Sequence, residues 1–227
     1  DVNPSRGLGD VYKRQQDGHS HILSSTIPNC KSYDPAYGYE LAVIIEHGLK
    51  EMYKDKKNYF YYLTVTNERY VQPPKPKGKD VDSNIIKGMH RISKTKKPQI
   101  RLLGSGAILN ESIKASKMLS DFGIESEVWS VSSFNMLRKD GMEVENENIK
   151  NPSNKAKESF VTKSFSEHDI PTVASTDYMR AYSEQIRPYI NSPYYTLGTD
   201  GFGRSDSRAK LREFFEVDAK SIVMTAA

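Results

Sequence analysis

QIRLLGSGAILNESIKASKMLSDF, residues Gln99–Phe122, carries strand, turn and helix signals in unbroken succession. Ile100, Leu102 and Leu103 form a short apolar run, Gly104-Ser105-Gly106 interrupts it, and from Ile108 the apolar spacing becomes helical. Leu109, Ile113, Ser116, Leu119 and Phe122 recur three or four apart, which predicts one helical face laid over the strand just left. Gly123 tolerates positive φ and is expected to stop the helix. A strand with little polar alternation that feeds a helix is typical of a mostly parallel sheet with helices on both faces, so the expected fold class is α/β.

Toward the C-terminus the same grammar repeats. Val128–Phe134 reads as a second strand, Thr172–Ser175 as a third and Tyr194–Leu197 as a fourth. Arg138–Glu167 is polar and is expected to cross the surface as short helices and loops. Thr176-Asp177 is placed to cap a helix over Tyr178–Ile190, which Pro188 interrupts near its end. A glycine-rich turn, Gly198–Arg208, leads into a helix over Ala209–Phe215, and Ser221–Ala227 opens a further element.

Toward the N-terminus, Ile22–Cys30 reads as a loop entering a short strand. Asp34-Pro35-Ala36 then offers a cap followed by proline at the first helical position. The helix is expected to reach Tyr53, with Leu41, Ile44, Ile45, Leu49 and Met52 as its apolar stripe and Lys54–Lys57 at its negative end. Tyr59–Val65 is aromatic and β-branched, as a buried strand would be. Pro73-Pro74-Lys75-Pro76-Lys77-Gly78-Lys79 joins neither sheet nor helix, because its prolines withhold donors and its lysines repel one another. Ile85–Ile92 is a candidate edge strand and Lys94–Pro98 a turn. The expected organisation is therefore a first unit over 16–72, a linker over 73–97 and a second unit over 98–227. Asp1–Gln15 connects with nothing downstream and resembles adapter-derived sequence, so it is set aside as non-native.

The 227 residues are 37% hydrophobic, enough for real cores, and no apolar run or leader-like succession suggests a membrane span or secretion. A soluble intracellular protein is expected. Cys30 is the single cysteine, which excludes an intrachain disulfide and a cysteine-based metal cluster and predicts a buried, inert thiol. The net charge of +4 comes from 33 basic against 29 acidic residues, a weak excess for nucleic-acid binding. The run Lys94–Lys97 has no aromatic platform beside it and reads as a solvated loop.

Two turns, Gly104-Ser105-Gly106 and Gly201-Phe202-Gly203, precede helices, where free amides favour anions. Neither has a full dinucleotide fingerprint or a phosphate-loop lysine, so tight turns are the leading reading and phosphate binding the other. Arg204 and Arg208 bracket Asp206 and Ser207, either to grip a carboxylate or a neighbouring subunit, or to hold their own helix. His19 and His21 are two apart, so on an extended chain they would point the same way. No ligand set at metal spacing accompanies them. Structural histidines come first on the bare residues, with acid/base or substrate contact as the functional reading.

Six motifs together resemble one family. DGHSHI at Asp17–Ile22, IPNC at Ile27–Cys30, SYDPAY at Ser32–Tyr37, LLGSG at Leu102–Gly106, ASTDYM at Ala174–Met179 and GTDGFGRSDSR at Gly198–Arg208 are similar to the homodimeric, thiamine-diphosphate-dependent first component of bacterial pyruvate dehydrogenase complexes. The resemblance runs from about Gln16 to the end. It implies a fragment of a three-domain subunit: the end of the pyrimidine-binding domain, then most of a transketolase-like C-terminal domain. It implies pyruvate decarboxylation and transfer of the acetyl unit to lipoyl groups, with thiamine diphosphate and magnesium as cofactors. Their principal ligands, and the glutamate that activates the aminopyrimidine, lie upstream in that family, so no residue here is assigned to cofactor or metal and the chain alone is expected to be inactive.

Implied partners are a second copy of the subunit, the lipoyl domain and the dihydrolipoyl acetyltransferase core, in the cytoplasm, with no nucleic acid and no membrane. By the same resemblance His21 aligns with a substrate-facing histidine and His19 sits beside it in the motif. Gln15 stands where the family commonly has another active-site histidine. The family's C-terminal domain contributes to dimerisation and the site entrance. The alternatives are another transketolase-like enzyme acting on sugar phosphates, or a non-catalytic interaction module whose Arg204 and Arg208 turn is a docking surface.

Overall fold

The computed structural model describes residues 17–227; Asp1–Gln15, set aside above, lies outside them, as does the comparison made at Gln15. Seven strands among the described residues form two sheets. β1 (Cys30–Tyr33) and β2 (Phe60–Leu63) pair in parallel. β3 (Met89–Ser93), β4 (Ile100–Gly104), β5 (Ser126–Val131), β6 (Thr172–Ser175) and β7 (Tyr194–Leu197) follow the order β3-β5-β4-β6-β7, all parallel except β3, which runs antiparallel along β5 at one edge.

The central strands are apolar on both faces because both faces are covered. On one face Leu102, Val128 and Val173 pack against Leu109, Ala115 and Leu119 of the helix Leu109–Asp121 and against Ala219 and Ile222 of the helix Ala219–Ala226. On the other, Leu103, Trp129 and Ala174 meet Phe134 and Leu137 of the helix Phe134–Lys150, Val161 and Phe165 of the helix Phe160–Phe165, and Tyr182 of the short helix Arg180–Glu184. Each Val, Leu, Ile or Phe among them stabilises the fold by about 1.5–3 kcal/mol relative to exposure. The mixed, mostly parallel α/β sheet expected from Gln99–Phe122 is the one observed.

Several local expectations differ. The helix after β4 turns Leu109, Ser112, Ala115 and Leu119 inward and leaves Phe122 exposed, because it ends at Asp121 and Gly123 reverses the chain at φ 76°. The polar stretch 138–167 is not a run of short pieces: Phe134–Lys150 is one 17-residue helix, capped by Ser133 and buried along Phe134, Leu137 and Gly141. Thr176-Asp177 caps no long helix; the chain instead makes Arg180–Glu184 and a 3-10 turn, Arg187–Tyr189, that Pro188 helps start. Ile22–Ser25, the start of the expected loop, belongs to a helix, Ser20–Ser25, whose first turn is held by the Asp17 carboxylate accepting from Ser20 N at 3.0 Å.

The helix expected from Asp34 begins at Gly38, where Tyr37 and Glu40 form the cap, and ends in a π-turn, Lys50–Lys54. β2 is half-exposed rather than buried, since β1 is its one pairing partner among the described residues. Within 73–97 the chain forms the helix Val81–Lys87 and β3, so an edge strand joins the second sheet from inside the stretch expected to link the units.

The small sheet is tied to the large one through polar bonds. Asp34 N donates to Ser132 O at 2.7 Å, Ser133 Oγ to Ser32 O at 2.6 Å, and Asn135 Nδ2 to Ser32 Oγ at 2.5 Å. Cys30 is a buried free thiol whose pKa is raised by burial, and Lys139 Nζ donates to its carbonyl at 2.8 Å.

Candidate active site

In sheets of this kind, chemistry gathers beyond the carboxyl ends of parallel strands. Asp34 follows β1, Thr64 follows β2, Ser105 follows β4 and Thr176 follows β6, and these four ends meet. Thr64 Oγ1 donates to Asp34 Oδ1 at 2.7 Å, Gly106 N donates to the Asp34 carbonyl at 3.2 Å, and Ser105 Oγ donates to Thr176 Oγ1 at 2.9 Å.

His21 closes the group. Its Nε2 lies 2.9 Å from Thr64 Oγ1, and its ring is stacked on Tyr182 at 4.9 Å between centroids, edge-on to Tyr178 at 4.6 Å and to Tyr62 at 5.5 Å. The ring is fully buried, which pushes its pKa down to about 4 against the pull of Asp17, so near neutral pH the imidazole is uncharged. Asn135 Nδ2 donates to its carbonyl at 2.7 Å and fixes the backbone beneath the ring. His19 is exposed. It caps the helix Ser20–Ser25 from outside, whereas His21 lies buried in the first turn, so the structure does not bring the two imidazoles together as the extended reading supposed.

Asp34, read from sequence as a helix cap, is a buried site carboxyl. Burial raises its pKa to about 7; the bond from Thr64 and the nearby Ser105 hydroxyl oppose that, while Asp177 and Glu40 add to it. Its carboxyl sits against the Gly104-Ser105-Gly106 turn, where Gly106 has φ 49° and a Cβ there would run into Asp34 Oδ2. The turn is thus the seat of the chain's own carboxyl, which leaves no room or charge for a phosphate. The sequence signal for Asp34 was available: it is the lone acidic residue within Ser32–Tyr37, an otherwise aromatic and small-residue run. Thr64 carried no such mark.

The second glycine turn serves the scaffold. Gly201 has φ 89°, and Arg180 Nε meets Asp200 Oδ2 at 2.6 Å. Arg204 and Arg208 do not converge on one ligand: Arg204 lies over the Phe214 ring at 4.9 Å, while Arg208 donates to Asn67 Oδ1. Arg212 Nη2 meets Glu68 Oε2 at 2.5 Å and its Nη1 meets Glu111 Oε1 at 3.4 Å. This turn and its helix therefore clamp the segment leaving Thr64. The described residues do not fit a magnesium diphosphate: among them no group of three or more His, Cys, Asp or Glu could hold a metal, and the first glycine turn is already filled by the Asp34 carboxyl. No described helix is long and apolar enough to cross a membrane.

Five of the six motifs quoted above meet here: His21, Asp34, Gly106, Tyr178 and Thr199, the last donating its amide to Tyr178 O at 2.9 Å. IPNC lies apart, under Lys139. The domain described as "Pyruvate dehydrogenase E1 component middle domain" matches residues 6–73, beginning inside the stretch set aside as non-native, and "Transketolase-like TK C-terminal domain" matches residues 88–218. The "Pyruvate dehydrogenase E1 component" of Pseudomonas aeruginosa is 53% identical over 218 residues, covering 94% of this chain and 24% of that protein. That of Escherichia coli is 46% identical over the same shares. The chain spans about a quarter of the length of the curated relatives it matches. Among solved structures, transketolase from Leishmania mexicana superposes with a TM-score of 0.64 at 15% identity, over 90% of this chain and 26% of that one, which is a likeness of fold. The chain belongs to the transketolase-like C-terminal domain family through residues 88–218, preceded over residues 6–73 by a match to the middle domain of the pyruvate dehydrogenase E1 component.

Proposed function

We propose that this chain forms part of the active-centre wall of a pyruvate dehydrogenase first component, an enzyme that decarboxylates pyruvate and passes the acetyl unit to a lipoyl group. The observation that carries the reading is His21, kept neutral by burial and hydrogen-bonded to Thr64 at the meeting of four strand ends. A neutral imidazole presents one N–H donor and one lone pair, so it can hydrogen-bond a substrate carbonyl or carboxylate without adding charge to a buried site. His21 is assigned to the substrate side and exposed His19 to the rim. The relatives at 46–53% identity support the substrate class over sugar phosphates, since the transketolase likeness is far more distant at 15%.

Thiamine diphosphate supplies the electron sink when bound. Its diphosphate and magnesium are assigned to parts of the parent protein beyond this chain. The residues here exclude water around His21 with Tyr62, Tyr178 and Tyr182 and hold its ring in place. In the same reading residues 16–72 close the pyrimidine-binding domain, 73–97 link the units while lending β3 to the second sheet, and 98–227 form the rest of the C-terminal domain. The parent acts as a homodimer in the cytoplasm with a lipoyl domain and the dihydrolipoyl acetyltransferase core as partners.

Calorimetric titration of the 227-residue chain with thiamine diphosphate and magnesium should give no specific heat. The full-length parent should turn over pyruvate with a lipoyl acceptor and leave sugar phosphates unused. Saturable tight binding to the isolated chain, or sugar-phosphate transfer by the parent, contradicts the proposal.

A further inference from the structure

Thr64 is the one side chain among the described residues that bonds the His21 ring, and it touches a carboxyl on its other side. A hydroxyl has a single proton to give. With that proton directed to Asp34 Oδ1 at 2.7 Å, Thr64 Oγ1 is left as an acceptor toward His21 Nε2, so Nε2 carries the ring proton. Nδ1 of His21 is buried and has no hydrogen-bond partner among the described residues. Unpaired, that nitrogen costs about 1–3 kcal/mol as donor or as acceptor, so nothing on that side competes with the Thr64 bond in setting the tautomer.

We propose that Asp34, acting through Thr64, is a positioning residue that holds His21 as the Nε2–H tautomer and leaves the Nδ1 lone pair as the ring's proton-accepting position. Its relevance to catalysis rests on the assignment of His21 to the substrate side given above; the tautomer itself does not.

The surroundings make the bias sensitive to Asp34 rather than to a neighbour. Around His21 stand Asp17 on the preceding turn, Tyr62 beside β2, and Tyr178 and Tyr182 beyond β6. Asp17 acts through space, and the tyrosines meet the ring through their aromatic faces and edges, with the Tyr178 hydroxyl also reaching Thr64. Around Asp34 stand Thr64, Ser105, Asp177, Glu40, Tyr70, Tyr178 and Tyr182. When Asp34 takes up a proton it becomes a donor to Thr64, the hydroxyl turns toward His21, and the tautomer preference reverses. Burial places that uptake near neutral pH. The Gly104-Ser105-Gly106 turn, whose φ 49° at Gly106 makes room for the carboxyl, thereby acts on His21 from the far side of the relay.

Nitrogen NMR of the whole chain with labelled histidine tests this, with the His21 signals identified by their loss in His21→Gln. Above the pH at which Asp34 takes up its proton, wild-type Nε2 should resonate as a protonated nitrogen and Nδ1 as a bare one. Thr64→Val should collapse that difference toward a tautomer mixture, and Thr64→Ser, which keeps the hydroxyl, should restore it. Asp34→Asn, whose amide can donate to Thr64, should move the ring toward Nδ1–H. A wild-type His21 protonated at Nδ1, or an unchanged tautomer in Asp34→Asn, overturns the proposal, and neither depends on Thr64→Val folding. In the full-length enzyme Thr64→Val should lower kcat on pyruvate. Tautomer shifts as expected with kcat unmoved would uphold the relay and remove His21 from the substrate side.

Discussion

Glu127→Ala is expected to destabilise the chain by about 3–5 kcal/mol, read as a shift of its urea midpoint, because it strands a buried guanidinium. Arg101 and Glu127 face each other across β4 and β5, with Arg101 Nε 2.5 Å from Glu127 Oε1 and both side chains almost wholly buried. Arg101 also donates to Thr172 Oγ1 at 3.2 Å and His168 O at 2.9 Å, and stands over the Phe165 ring at 4.0 Å. Those contacts orient the guanidinium but cannot neutralise it. Since folded domains are stable by only about 5–15 kcal/mol, this loss consumes a large part of the margin. The double change Arg101→Met with Glu127→Leu removes both charges and should recover most of the loss. A cost below about 1 kcal/mol, the size of an exposed pair, would mean that water reaches this pair.

Gly106→Ala is expected to cost about 2–5 kcal/mol. A left-handed residue with a Cβ is disfavoured by about 1–2 kcal/mol, and forcing that Cβ against the Asp34 carboxyl adds the roughly 1–3 kcal/mol typical of overpacking. Gly123→Ala is the control. Gly123 also has positive φ, at 76°, but nothing lies within 4 Å of its added Cβ, so only the backbone part of the cost applies. The difference between the two variants measures how firmly the turn holds Asp34. Equal costs would show that the carboxyl moves aside freely.

The large sheet was legible because its strands are apolar on both faces, as Leu102 and Leu103, or Val128 and Trp129, each serve a different helix layer. The helix Phe134–Lys150 was not, because its buried stripe is narrow and includes Gly141, against which the Tyr189 ring packs so closely that a Cβ there would strike it. A glycine in a polar stretch signals a turn, and only tertiary contact makes it a core position. At the site, His21 stood out by residue type and by resemblance. Asp34 did not, because Asp-Pro is also a good helix start, and the chain used Tyr37 and Glu40 for that purpose instead. Thr64 was hidden at the end of an aromatic strand, where nothing local distinguishes a bridging hydroxyl from a solvated one. The pairing of His19 with His21 failed for a single reason, the helix Ser20–Ser25, whose Asp17 support is one turn upstream.

The most direct test of the account is pyruvate turnover by the full-length parent carrying His21→Ala, assayed with thiamine diphosphate, magnesium and a lipoyl acceptor. Loss of a positioned proton-handling group lowers the rate by about 10²–10⁴-fold, and that is the expected result with the coenzyme still bound. Wild-type turnover from a folded His21→Ala enzyme would contradict it and return His21 to the core.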